Sequence, residues 1–182
     1  HVWGIIHSDI KPENIMATDK SLSDFRIIDF GVSVDINAPT FGGSRAYCGN
    51  ERTGKNTIAK NSIDIYSLAI SFAVMEESFD EVFKDYSRDC YFEEISLQCD
   101  KILKKNIGEI FDQWGLQALK EVILKAAAYK IEHRYFSMND FSTEINKVIL
   151  LLESEGKELA EKNAEIFRKN RLKKEKKSEF QF

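Results

Sequence analysis

Apolar residues follow two different rhythms along this chain. Over residues 1–30 they come in short runs: Val2 to Ile6, then Ile15, Met16 and Ala17, then Phe25, Ile27 and Ile28. Runs this short, separated by polar and turn-forming residues such as Asp19 to Asp24, predict small β-strands. The polar stretch ending at Asn14 lies between two of them, so its side chains can meet a ligand at the strand ends. From Val32 to Lys60 no helical period is found, and Pro39, Gly42, Gly43, Gly49 and Gly54 punctuate the stretch. An irregular segment of this length inside a domain is usually a functional loop.

Beyond residue 60 the rhythm becomes helical. Asn61 or Ser62 is placed to cap a helix carrying Ile65, Leu68, Ala69, Phe72 and Ala73, apolar on much of its surface and so buried. Glu94 to Lys105 reads as an amphipathic helix through Ile95, Cys99, Ile102 and Leu103. Leu116, Leu119, Val122, Ile123, Ala126 and Ala127 mark another. Ser137 to Asp140 has the form of a capping box ahead of Phe141, Ile145, Val148, Ile149 and Leu152. Each stripe reads first as core packing. From Glu153 the chain turns to Lys, Glu and Ala, with a basic cluster at Arg168, Lys169, Arg171, Lys173, Lys174, Lys176 and Lys177. A solvated helix, fraying at its end, accounts for it, with nuclear import or an anionic surface as the alternative.

Composition narrows the class. The 182 residues, 43% hydrophobic and 12% aromatic, suit one globular domain. The net charge of -4 gives no reason to expect nucleic acid or an anionic membrane as partner. No apolar run reaches the roughly 20 residues that span a bilayer, and the start does not read as a signal peptide. Cys48, Cys90 and Cys99 share no metal-type spacing and read as reduced thiols, which suggests a cytoplasmic protein, or a nuclear one through the basic tail. A start at His1, inside an apolar element, suggests a piece of a longer chain.

The chemistry lies in His7-Ser8-Asp9-Ile10-Lys11-Pro12-Glu13-Asn14 and in Asp29-Phe30-Gly31. Asp9 can orient and deprotonate a hydroxyl. Lys11 offers a positive charge on the same side of an extended loop. Asn14 and Asp29 are hard oxygen ligands of the kind Mg²⁺ takes alongside phosphate and water. A base, a cation and two metal ligands are what phosphoryl transfer requires.

These two segments resemble the catalytic loop and the magnesium-binding motif of protein kinases, and the Asp9-x-Lys11-Pro12-x-Asn14 form resembles the serine/threonine branch. The resemblance implies Asp9 as catalytic base, Lys11 as the phosphate-contacting lysine, Asn14 and Asp29 as metal ligands, and Met16 as the floor under adenine. It places His7 and Phe30 in the stacked apolar column that couples the lobes. Further on, Gly43 to Glu51 resembles the substrate-docking segment, keeping only Glu51 of its usual Ala-Pro-Glu ending. Asp64 resembles the aspartate that anchors the catalytic loop, and Arg134 the arginine that pairs with that glutamate.

The fold so implied is α+β and mainly helical: a kinase C-lobe over residues 1–152 with a few short strands at the cleft, then a charged tail over 153–182. The implied reaction is transfer from ATP, with Mg²⁺, to a protein serine or threonine. The family's glycine-rich loop and its strand lysine find no match here, so the N-lobe is expected upstream or from another chain. Ser8 replaces the usual arginine that binds a phosphorylated loop, which puts control by loop phosphorylation in doubt. Two alternatives remain: a catalytically incompetent kinase-like binding module, and a kinase-like small-molecule phosphotransferase. The latter generally lacks the equivalents of Lys11-Pro12 and Gly31.

Overall fold

The structure is a computed structural model that describes residues 3–20, 24–53, 57–85 and 93–154. Cys90 and the basic cluster at 168–177 lie outside the described residues.

The short apolar runs become three small strands, and a fourth lies in the stretch expected to be irregular. β1 (Ile5–Ile6) pairs antiparallel with β4 (Val34–Asp35), and β2 (Ile15–Ala17) with β3 (Phe25–Ile27). The turn between β2 and β3 is closed by Thr18, whose amide donates to the Asp24 carbonyl at 2.9 Å. The β1–β4 pair was not predicted. Two-residue strands carry no periodicity, and their pairing spans all of residues 7–33.

Five α-helices follow among the described residues: α1 (Asn61–Glu76), α2 (Phe79–Val82), α3 (Glu93–Gln113), α4 (Gln117–Ala126) and α5 (Met138–Ser154). The chain is thus mainly helical with a few short strands. Helix α1 is the central one. Ile65, Ala69, Ile70 and Ala73 are fully buried and pack with Ile107 and Phe111 of α3, Ile123 and Ala126 of α4, and Phe141 and Val148 of α5. Its serines also face inward. Ser67 and Ser71 donate to the carbonyls of Ile63 and Ser67, so no hydroxyl is stranded in that core.

Two details depart from expectation. Lys60, not Asn61 or Ser62, is the N-cap of α1, and no side chain caps it. Cys48 is a free thiol, but Cys99 is disulfide-bonded, which corrects the reading of three reduced thiols. Tertiary proximity, which spacing does not reveal, decides such a bond. The capping box at α5 is formed reciprocally: the Asp140 amide donates to Ser137 Oγ at 3.1 Å, and the Ser137 amide donates to Asp140 Oδ2 at 3.1 Å. No helix among the described residues is long and apolar enough to cross a membrane.

Candidate active site

The loop between β1 and β2 is built on one buried carboxylate. Asp64, in the first turn of α1 and 1% exposed, accepts the amides of His7 at 2.7 Å and Ser8 at 2.8 Å. Two backbone donors that would otherwise be buried without partners are thereby satisfied. Ser8 adopts a left-handed conformation, φ 69°, which is costly for a residue with a Cβ and here turns the chain sharply before Asp9. The following 3₁₀ turn, Pro12–Asn14, starts with the residue best suited to a first helical position.

Asp9 sits at the centre of a closed polar group. Lys11 Nζ lies 3.1 Å from its carboxylate and also donates to Ser44 Oγ at 2.8 Å. The Ser44 amide donates to Asp9 Oδ1 at 2.5 Å. From the other side Asn14 Nδ2 donates to the Asp9 carbonyl at 2.8 Å and to Oδ2 at 3.3 Å. Burial pushes the Asp9 carboxyl up, but the bonds from Ser44 and Lys11 outweigh it, so its pKa lies below the ordinary value. The group is therefore an anion at neutral pH, oriented on both oxygens.

Asn14 commits its amide nitrogen to Asp9, which leaves its hard Oδ1 as the atom suited to a cation. Its carbonyl accepts the Ile28 amide at 3.0 Å, which ties it to the strand end just before Asp29. Asp29 is left-handed, φ 62°, and exposed, and its Oδ1 accepts the Gly31 amide at 3.2 Å. A Cβ at position 31 would stand 3.1 Å from that same oxygen, so glycine keeps the carboxylate uncrowded. The donor chemistry fits Mg²⁺: Asn14, at the end of the 3₁₀ turn before β2, and Asp29, two residues past β3, each offer a hard oxygen of the kind that ion takes alongside phosphate and water.

Phe30 and His7 lock these two loops together. Their rings meet edge-to-face at 4.7 Å, and His7 Nε2 lies 3.0 Å from the Ile28 carbonyl. Met16 lies on β2, half exposed and opposite Arg26, while Phe25 and Ile27 of β3, also exposed, point to the other face of the pair.

Residues 43–51 are fixed separately. Glu51 and Arg134 form a two-pronged ion pair, Oε1 to Nη1 at 2.7 Å and Oε2 to Nη2 at 2.8 Å. The guanidinium also donates to the carbonyls of Ala128, Ser62 and Tyr129, and it stacks 4.4 Å from the Tyr66 ring. Tyr47 packs against Phe79 and Phe83, and burial, followed by the charge of Glu13, pushes its phenol up to about 12. Sequence reasoning did not single out Tyr47, Ser33 or Thr57, because no motif marks them.

Comparison with known proteins agrees with this geometry. The chain matches the protein kinase domain family over residues 1–178, and it belongs to that family. Among curated proteins it is similar to the "probable serine/threonine-protein kinase gdt2" of Dictyostelium discoideum, 34% identical over 120 residues. That match covers 62% of this chain and 7% of the relative. A second Dictyostelium discoideum protein, "probable serine/threonine-protein kinase gdt9", is 36% identical over 93 residues, covering 45% and 6%. A protein of Clostridium perfringens (strain 13 / Type A), named as a probable serine/threonine-protein kinase, is 34% identical over 76 residues, covering 38% and 11%. The chain thus spans about a tenth or less of the relatives it matches.

Proposed function

We propose that this chain is the catalytic-loop lobe of a serine/threonine protein kinase, residues 1–152 forming the lobe and 153–182 a charged extension. The observation that carries the proposal is the closed group of Asp9, Lys11, Asn14 and Ser44, joined through Ile28 to Asp29. Asp9 takes the proton of an incoming serine or threonine hydroxyl. The hydroxyl oxygen bonds to the γ-phosphorus of ATP, and the bond from that phosphorus to the β–γ bridging oxygen breaks, releasing ADP. A carboxylate of lowered pKa is a weak base. Asp9 therefore acts chiefly by orienting the hydroxyl and accepts its proton late, as a loose phosphoryl-transfer step allows.

Lys11 places positive charge where the transferring group gathers negative charge. Asn14 Oδ1 and the Asp29 carboxylate would hold Mg²⁺, which when bound screens the phosphate oxygens. Met16 would lie under adenine. Exposed apolar side chains on both faces of the β2–β3 pair, Met16 on one and Phe25 and Ile27 on the other, support a second lobe packing around it, supplied upstream or by another chain.

Calorimetry of nucleotide binding tests the metal assignment. In the protein, Asp29→Ala is expected to remove most of the magnesium dependence of ATP affinity while the melting temperature holds. Equal magnesium dependence in the variant and the parent would refute it.

A further inference from the structure

Segment 37–44 is fastened to the loop that carries Asp9 at three residues, Ser8, Asp9 and Lys11. At its far end Ser44 is bonded to Asp9 and Lys11. At its near end Thr40 Oγ1 donates to Ser8 Oγ at 3.3 Å, and both residues are 2% exposed. The backbone of the same segment is laced to residues 57–59, just ahead of α1. The Thr40 amide donates to the Thr57 carbonyl at 3.0 Å, the Asn37 amide to Ala59 at 2.8 Å, and the Ala59 amide returns to Ala38 at 2.8 Å. Thr57 in turn donates from its hydroxyl to the Glu51 carbonyl at 2.6 Å, which joins the lacing to the Glu51–Arg134 pair.

We propose that the Ser8–Thr40 contact is a neutral latch that positions Asp9, holding segment 37–44 in its working place with no phosphate on Thr40. The proposal rests on the kinase reading of Asp9. Ser8 needs support, because its left-handed backbone is a conformation residues with a Cβ seldom adopt. Asp64 holds its amide, Ser33 Oγ donates to the neighbouring His7 carbonyl at 3.1 Å, and Thr40 meets its side chain. Any shift of Thr40 is passed to Ser8 and so to the next residue, Asp9. A phosphoryl group on Thr40 would bring a charge of about −1.5 to −2 into a contact buried against the neutral Ser8 hydroxyl. It would open the latch rather than close it. Ser8 and Thr40 are thus positioning residues, and this loop is built to be set without a kinase acting on it.

The test compares Thr40→Val, Thr40→Ser and Thr40→Glu in the full-length protein, reading kcat, KM and amide exchange together. Thr40→Val should lower kcat by about tenfold, with KM for MgATP and for a serine peptide changed by less than about threefold. Thr40→Ser should restore most of the rate, and Thr40→Glu should be as slow as Thr40→Val or slower. Exchange at the Thr40 and Ala59 amides should speed up in Thr40→Val while the interior amides of α1 stay protected. A Thr40→Val rate equal to the parent's, or a Thr40→Glu rate above it, overturns the proposal. Unchanged exchange at those two amides overturns it as well. If the parent protein transfers no phosphate, the kinase reading and the positioning role fall together, and exchange alone still decides whether the latch exists.

Discussion

Arg134 and Glu51, 83 residues apart in sequence, face each other through both guanidinium nitrogens and both carboxylate oxygens, with side chains 0% and 10% exposed. The pair ties residues 43–51 to the loop between α4 and α5. Since the guanidinium also serves three carbonyls, its removal would strand a buried carboxylate and unsatisfy backbone groups at once. Arg134→Ala is expected to destabilise the fold by about 3–5 kcal/mol in chemical denaturation. Lys105→Ala, which breaks an exposed pair with Glu109, should cost about 0–1 kcal/mol. Equal effects of the two would contradict this account of the pair.

Gly49 is explained by the same pair. A Cβ there would lie 2.6 Å from Arg134 Nη2 and closer still to Glu51 Oε2. Gly49→Ala must push the pair apart, and a loss of about 1–3 kcal/mol is expected, read as a lowered denaturation midpoint. A neutral or stabilising Gly49→Ala would show that the segment yields freely.

Asp64 couples the core to the catalytic loop. Asp64→Ala leaves the His7 and Ser8 amides without an acceptor, at a cost of about 1–3 kcal/mol for each buried group. Phosphoryl transfer should fall with stability, because Ser8 would no longer be held in its left-handed turn. Asp64→Asn, which keeps one acceptor oxygen, should lie between. Full activity in Asp64→Ala would detach the loop's geometry from α1.

The lowered pKa of Asp9 sets a pH dependence. Burial acts to raise it, and the bonds from Ser44 and Lys11 more than reverse that, so the folded value lies below the ordinary 3.8. A carboxyl depressed on folding stabilises the native state above its unfolded pKa and loses that contribution as pH falls through the folded value. The stability difference between the parent and Asp9→Asn should therefore be level from about pH 8 to pH 5 and shrink only below about pH 4. A difference that titrates near pH 6 would mean that burial prevails at Asp9.

Much of this was legible in the sequence, for physical reasons that differ by element. The stripes of α1, α4 and α5 are read correctly because each faces one continuous core, and the Ser137–Asp140 box forms as its spacing requires. The expected Asp64 and Glu51–Arg134 roles also find their geometry. Helix α3 was cut short at Lys105, yet Ile107, Ile110 and Phe111 carry its stripe on to Gln113. Gly108 obscures that continuation, and it sits where Lys120 of α4 approaches to 3.4 Å of where its Cβ would be. Ile149, expected in the core, is about half exposed, because the apolar stripe of α5 is wider than the surface it covers. The lacing of residues 37–40 to 57–59 was not foreseen, since it is made by backbone groups and leaves no side-chain signature.

The central claim is that Asp9 works on a hydroxyl that receives the γ-phosphoryl group of ATP. Single-turnover transfer to a serine peptide, measured with the full-length protein and its Asp9→Asn variant at matched folded fraction, tests it most directly. The variant should bind MgATP like the parent and transfer phosphate at least about a hundredfold more slowly. Transfer at the parent's rate by Asp9→Asn would contradict the assignment.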